Sequence, residues 1–113
     1  MKDIKAIIHH HVLSRLIRAL HDLPHFPGLT VIDVLGQGRG RGAGGTFELT
    51  EQELFLHRKN MIEIIAADEH VPDIVELIRQ TAHTGTHGDG IIVVTDIESV
   101  LRIRTGEVSG QAL

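Results

Sequence analysis

The chain has 113 residues, 42% of them hydrophobic but only 3% aromatic, so we expect a single domain with a small aliphatic core. Its formal net charge of −4 argues against nucleic-acid binding, which needs an excess of lysine and arginine on one face. There is no cysteine, which excludes disulfides and zinc–cysteine sites, and no apolar run approaches the roughly 20 residues of a membrane span. We therefore expect a cytoplasmic protein that does not insert directly into a membrane.

The first third of the chain predicts a strand, a helix and a second strand. The β-branched run Ile4–Ile8 is typical of a strand. Ser14 is a candidate N-cap, because apolar residues at helical spacing follow it: Leu16, Ile17 and Leu20. The prolines of "LPHFPG" end this helix, and Leu29–Leu35 predicts the second strand.

The second half of the chain repeats this order. "MIEIIAA", residues 61–67, predicts a third strand, and Asp68 precedes a helix. One face of that helix is apolar: Val71, Ile74, Val75 and Ile78. "IIVVTDI", residues 91–97, predicts a fourth strand, and the remaining residues form a tail of uncertain structure. The order β-α-β-β-α-β favours an α+β, ferredoxin-like sandwich.

About twenty residues, Gly38 to His57, separate the second and third predicted strands, far more than a hairpin needs. Loops of this length are usually functional or disordered, so residues 38–57 predict a mobile arm with a glycine-rich base. In this sandwich the helices cover one face of the sheet. We expect the other face to be apolar, because the third and fourth strands are hydrophobic on both sides, and therefore to be covered by self-association.

Three segments have the composition of a phosphate site. The glycines of "GQGRGRG", residues 36–42, let backbone N–H groups approach an anion, but no Walker or Rossmann pattern is present, so by itself this segment favours a plain flexible loop. "HTGTHGDG", residues 83–90, fits an anion nest or a turn in which Gly85 caps the preceding helix. On an extended chain Arg102 and Arg104 share one face, suited to a polyphosphate or to salt bridges.

The histidines offer a weaker hypothesis. Among the consecutive His9, His10 and His11, a strand would place only His9 and His11 on one face, as weak candidates for a metal site. No metal-binding motif is present, so surface histidines are the simpler interpretation. No catalytic signature stands out either, and we expect a protein that is not an enzyme.

Taken together, "KAII", "GLTV", "VLGQGRGRG", "KNMIEI", "TGTHGDG" and "LRIRTGE" resemble, in this order, the PII signal-transduction family over residues 2–107. PII proteins are trimers of ferredoxin-like subunits that bind ATP or ADP in clefts between subunits. Their T-loop, between strands two and three, reaches partners such as ammonium channels and enzymes of nitrogen metabolism. The resemblance implies one PII-like domain over residues 1–113, a homotrimer that binds ATP, ADP or AMP and controls a membrane transporter or metabolic enzyme.

The same resemblance implies which residues bind the nucleotide. The positions beside the adenine are Gly28, Leu29 and Thr30. The base of the T-loop supplies Gly36, Gln37, Gly38 and Arg39, with Lys59 at its far end. The B-loop, residues 83–90, contributes Gly88, Asp89 and Gly90. From the C-terminal segment of the adjacent subunit, residues 102–113, come Arg102 and Arg104.

The chain also departs from the family pattern. Gly40 replaces a glutamine that helps to hold magnesium and 2-oxoglutarate, and Ile91 replaces a lysine after "GDG", so both ligands are doubtful and ADP or AMP is expected to bind comparably to ATP. Gln52 replaces a tyrosine that is modified in the family. "HHH" replaces "KPF" at residues 9–11. These features indicate a divergent, PII-like member, and a metal-responsive protein of the same fold remains the alternative.

Overall fold

Strands and helices follow one another in the order that the sequence predicts. The computed structural model describes residues 1–37 and 56–113. The strands in this part are β1 (Lys2–His9), β2 (Thr30–Gly36), β3 (His57–Ala66) and β4 (Ile92–Asp96). The α-helices are α1 (Leu13–His21) and α2 (Val71–Ala82), and short 3₁₀ turns lie at His10–Val12, Asp68–His70 and Ser109–Ala112. Nearly all of the predicted T-loop, including Gly38, Arg39, Gly40 and Gln52, lies outside the described residues.

The strands form one antiparallel sheet in the order β2-β3-β1-β4. The two central strands pair along their whole length, from Lys2 opposite Ala66 to His9 opposite Lys59. Each outer strand then pairs with the central strand next to it. This order and the two helices confirm the ferredoxin-like α+β fold.

One face of the sheet is buried under the two helices. Alternate residues of the central strands are fully buried there, as the two-residue period of a strand requires: Ile4, Ala6, Ile8, Ile62, Ile64 and Ala66. The helices add Leu16, Leu20, Ile74 and Ile78 to this core. Burying each large aliphatic side chain contributes about 1.5–3 kcal/mol, so this aliphatic layer holds the helices on the sheet.

The opposite face of the sheet is not the apolar surface that we expected. Lys5 Nζ lies 2.7 Å from Asp3 Oδ2 and 3.5 Å from Glu63 Oε2, and the three side chains form a charged row on β1 and β3. Apolar residues flank this row, with Ile32 on β2 and Val93 on β4 both exposed. The expectation therefore holds only in part: it came from the third and fourth strands, whereas the period of "KDIKAII" turns Asp3 and Lys5 outward.

The starts of β3 and α1 differ from the sequence prediction for physical reasons. β3 begins at His57, four residues before the predicted strand, because "HRKN" pairs with the end of β2 from Asp33 to Gly36. Ser14 lies inside α1, and Val12 precedes the helix without a side-chain cap. The N-cap prediction was therefore wrong, because a 3₁₀ turn already gives the chain helical backbone before Ser14.

Within the helix-facing layer, Asn60 is a buried polar residue, exposed by only 1%. Its Nδ2 donates to Asp33 Oδ1 at 2.9 Å, and its Oδ1 lies 2.8 Å from His10 Nδ1, which must then carry the proton. One side chain thus joins β2, β3 and the 3₁₀ turn before α1.

We expect Asn60→Ala to lower the free energy of unfolding by about 1–3 kcal/mol, because Asp33 and His10 lose their shared partner inside the protein. Urea denaturation followed by far-UV circular dichroism measures this loss. Thr95→Ala, an exposed change on β4, is the control. Equal stability of the two variants would show that the buried network contributes nothing.

Candidate functional site

Several predicted binding residues meet at one end of the sheet. Lys59 on β3 lies between Val34 on β2 and His9 on β1. The B-loop joins α2 to β4 at the same end, where Ile7 N donates to Ile91 O at 3.0 Å. The last residue of β2, Gly36, is close as well, since a Cβ placed on it would lie 3.7 Å from Lys59 Cγ. The cluster therefore combines the end of β1, the end of β2, the start of β3 and the B-loop.

The Lys59 ammonium is held between β1 and the B-loop. Its Nζ donates to the backbone oxygen of Gly88 at 2.7 Å and lies 3.1 Å from His9 Nδ1. An ammonium group only donates, so His9 Nδ1 accepts and the ring proton sits on Nε2. His9 Nε2 is buried 3.2 Å from Asp89 Oδ1, outside hydrogen-bond geometry.

Asp89 organises the B-loop from within. Its carboxylate accepts hydrogen bonds from the backbone N–H groups of Thr84, at 2.9 Å, and Gly85, at 3.0 Å, and from Thr84 Oγ1. Burial acts to raise the pKa of Asp89, but these hydrogen bonds outweigh it and lower the pKa to about 2. The loop's own carboxylate thus occupies the backbone N–H groups of Thr84 and Gly85. The capping alternative was wrong, since the C-cap of α2 is His83 and not Gly85.

Two glycines let the B-loop backbone touch the sheet. Gly90 has φ +88°, and a Cβ there would overlap the backbone oxygen of Ile7. Gly88 has φ +96°, and a Cβ there would lie 2.9 Å from Lys59 Nζ. Both positions combine a left-handed backbone with a close approach, which only glycine permits without strain.

The histidine hypothesis is not supported by this geometry. His11 lies in a 3₁₀ turn and not in β1, so the strand alternation behind the pairing of His9 with His11 does not apply. Their rings stack with centroids 5.2 Å apart, and both nitrogens of His9 face other groups, Lys59 and Asp89. In residues 1–37 and 56–113 no group of three His, Asp or Glu side chains is arranged to hold a metal ion.

The remaining predicted residues lie at the other end of the sheet. Gly28, Leu29 and Thr30 precede or begin β2, whose seven residues put about 20 Å between them and Gly36. Arg102 follows β4, whose last residue pairs with Lys2 far from the B-loop. Its Nε donates to Ala112 O at 2.8 Å, in a tail whose Gly110 and Leu113 line a cavity beside Met1. A single chain therefore does not gather the predicted residues into one site.

The two arginines do not share the face of a strand. Leu101 forms an isolated bridge with Val108, and the residues between them, including Arg104, form a turn. The expected extended chain over Arg102 and Arg104 was wrong, because the turn closes with Gly106 N donating to Arg102 O.

Sequence reasoning missed two residues of the cluster. Thr84 supplies a backbone and a side-chain donor to Asp89, and His9 contacts Lys59. The available signal for His9 was the replacement of "KPF" by "HHH" at residues 9–11, which marked the position but did not indicate the contact with Lys59.

No helix in the described part of the chain is long and apolar enough to cross a membrane.

We expect Gly90→Ala to be far more damaging than Gly28→Ala. Both glycines have positive φ, so the backbone strain is matched, but a Cβ at Gly90 meets the Ile7 carbonyl while one at Gly28 meets nothing within 4 Å. Urea denaturation of both variants isolates the cost of the close approach. A similar loss in both would mean that the B-loop can move away from β1.

We expect Asp89→Asn to lower the free energy of unfolding at pH 7 by about 1–2 kcal/mol, since the native pKa of about 2 lies below the ordinary 3.8. A lowered carboxyl pKa stabilises the fold above about pH 4, and this stabilisation disappears as pH falls through about 2. Urea denaturation at several pH values should therefore show the variant and the wild type converging in acid. Glu98→Gln, an exposed change, serves as the control, and a gap that does not depend on pH would contradict the assignment.

Comparison with known proteins agrees with the fold and the motifs. The family model for "Nitrogen regulatory protein P-II" matches residues 1–107. Over the whole chain and the whole relative, the protein is 41% identical to "Nitrogen regulatory protein P-II" of Azospirillum brasilense and 40% identical to that of Porphyra purpurea. It is 38% identical to "Nitrogen regulatory protein P-II 2" of Methanothermobacter thermautotrophicus, of which 97% is covered. The chain belongs to the nitrogen regulatory protein P-II family.

Proposed function

We propose that this chain is a homotrimeric signalling regulator, and not an enzyme, that binds ADP, AMP or ATP between subunits. The phosphates lie at the cluster formed by Lys59 and the B-loop, and the adenine lies beside residues 28–30. The bound nucleotide changes the T-loop, residues 38–57, which acts in the cytoplasm on a membrane transporter or a metabolic enzyme. Family membership supports the regulatory role in this proposal.

The observation that carries the proposal is the position of the T-loop ends. Gly36 pairs with His57, and Lys59 lies two residues further along the same ladder, opposite Val34. The segment that separates β2 from β3 therefore begins and ends beside the Lys59 ammonium and the B-loop. A phosphate bound there would contact the base of the loop, so its binding energy can favour one loop arrangement over another.

The location of the other residues supports a site shared between subunits. Arg102 and Arg104 lie at the end of the sheet opposite Lys59, so one chain cannot direct all three cations at one polyphosphate. A second copy that turns its tail toward the B-loop would complete the set. The exposed apolar residues beside the charged row, such as Ile32 and Val93, provide surface for this association.

The local chemistry favours nucleotides with fewer phosphates. Ile91 follows the B-loop with 60% of its surface exposed, so an apolar side chain stands where the family pattern has a cation. The ionised Asp89 adds a negative charge nearby. We therefore propose that ADP and AMP bind about as well as ATP, and that magnesium and 2-oxoglutarate contribute little. The chain has no tyrosine, so control by modification of a T-loop tyrosine is excluded.

We expect Arg102→Ala and Arg104→Ala each to weaken ADP binding by about tenfold or more, because each removes a charge-assisted contact worth roughly 1.5–3 kcal/mol. Isothermal titration calorimetry of the purified protein measures the affinity, and light scattering after gel filtration measures the oligomeric state. Arg18→Ala, an exposed change on α1, should leave both unchanged.

Two results would contradict this assignment. One is near wild-type ADP affinity in both arginine variants. The other is a stable monomer at micromolar concentration, because the two halves of the site would then never meet.

A further inference from the structure

We propose that His9 is a positioning residue of the phosphate site: its neutral ring accepts from Lys59 on one side, faces Asp89 on the other, and so fixes the ammonium at the B-loop. The inference rests on the proposed function for the identity of the ligand, but the contacts on which it is built are properties of the free protein. Nothing in the sequence motifs assigns His9 this task.

The first step concerns the three protons of the Lys59 ammonium. A lysine ammonium has three protons, and in the described part of the chain two of them point at Gly88 O and His9 Nδ1. Among the described residues no acceptor takes the third proton, which a ligand oxygen can use. Because a lysine side chain has a long flexible stem, these two acceptors restrict the ammonium to one position before any ligand arrives.

The second step concerns the ring of His9. Only the neutral form with its proton on Nε2 can accept from Lys59 through Nδ1 and present N–H toward Asp89 Oδ1, 3.2 Å away. The other neutral tautomer would place an N–H against the ammonium. The doubly protonated ring would place a second cation about 3 Å from the first, where like charges repel.

The groups around His9 favour this neutral form. Burial lowers the pKa of His9 below its ordinary 6.5, and the Lys59 ammonium on β3 and His11 in the 3₁₀ turn act in the same direction. Asp89 of the B-loop opposes them by raising it. His83 also faces Asp89, with Nδ1 3.5 Å from Oδ2. At neutral pH His9 therefore acts as a hydrogen-bond acceptor and contributes no charge of its own to the site.

Because His9 acts through Lys59, the two residues should not contribute independently to binding. His9→Leu removes the acceptor and should weaken ADP binding about tenfold, while His9→Asn retains a short acceptor and should recover part of the loss. Lys59→Met removes the ammonium itself. In the Lys59→Met background, His9→Leu should cause less than a twofold further change, because the group that it positions is gone.

The experiment is a double-variant cycle of His9→Leu and Lys59→Met, measured by calorimetry with ADP, with circular dichroism to verify folding. His21→Leu on α1 is the control and should bind as the wild type does. Additive losses in the double variant, or wild-type affinity in both His9→Leu and His9→Asn, would overturn the proposal.

A second readout needs no nucleotide. Nitrogen-15 NMR of the histidine rings should show His9 with an unprotonated Nδ1 and a protonated Nε2 at pH 7, and its titration midpoint should rise in Lys59→Met. A protonated Nδ1, or an unchanged midpoint, would exclude the contact. If the NMR result is as expected but the wild type binds no adenine nucleotide, the proposed function fails while the coupling of His9 to Lys59 stands.

Discussion

The register of β3 against β1 is the constraint from which both the core and the candidate site follow. Ile8 stands opposite Asn60 and His9 opposite Lys59. Because side chains alternate between faces, a slip by one residue would turn Lys59 into the helix-covered layer and Asn60 out of it. The same pairing that buries Ile62 and Ile64 thus delivers an ammonium to the open face, at the end where the B-loop arrives. The hydrogen bonds of Asn60 to β2 and to the 3₁₀ turn hold this register at its polar end.

The B-loop is shaped before any ligand arrives. Asp89 satisfies the N–H groups of Thr84 and Gly85, and the glycine at position 90 lets the loop backbone lie against β1. Lys59 Nζ then holds the loop by a hydrogen bond to the backbone oxygen of Gly88. A loop ordered by its own carboxylate loses little freedom on binding, so a phosphate there would gain most of its contact energy without an ordering cost. Because the B-loop is already ordered, regulation through such a site would depend on a response of the T-loop to the bound ligand.

The sequence was sufficient for the fold and for the segments of the site, and insufficient for their arrangement. Strand and helix periods predicted the element order, because the aliphatic core imposes them directly. The start of β3 could not be predicted, because the polar "HRKN" does not have the composition of a strand. It is extended because it pairs with β2. Residue types alone placed Arg102 and Arg104 on one strand face, whereas a turn separates them. The link between His9 and Lys59 spans fifty positions, and only the register of the sheet brings the two together.

The charged row on the open face has a consequence for assembly. Lys5 lies between Asp3 and Glu63, and one oxygen of Asp3 is buried without a partner in the described part of the chain. An apolar surface accepts almost any apolar neighbour, but a chain that packs over this row must present groups that tolerate its charges. A neighbouring subunit without matching charges would therefore associate less tightly over this row.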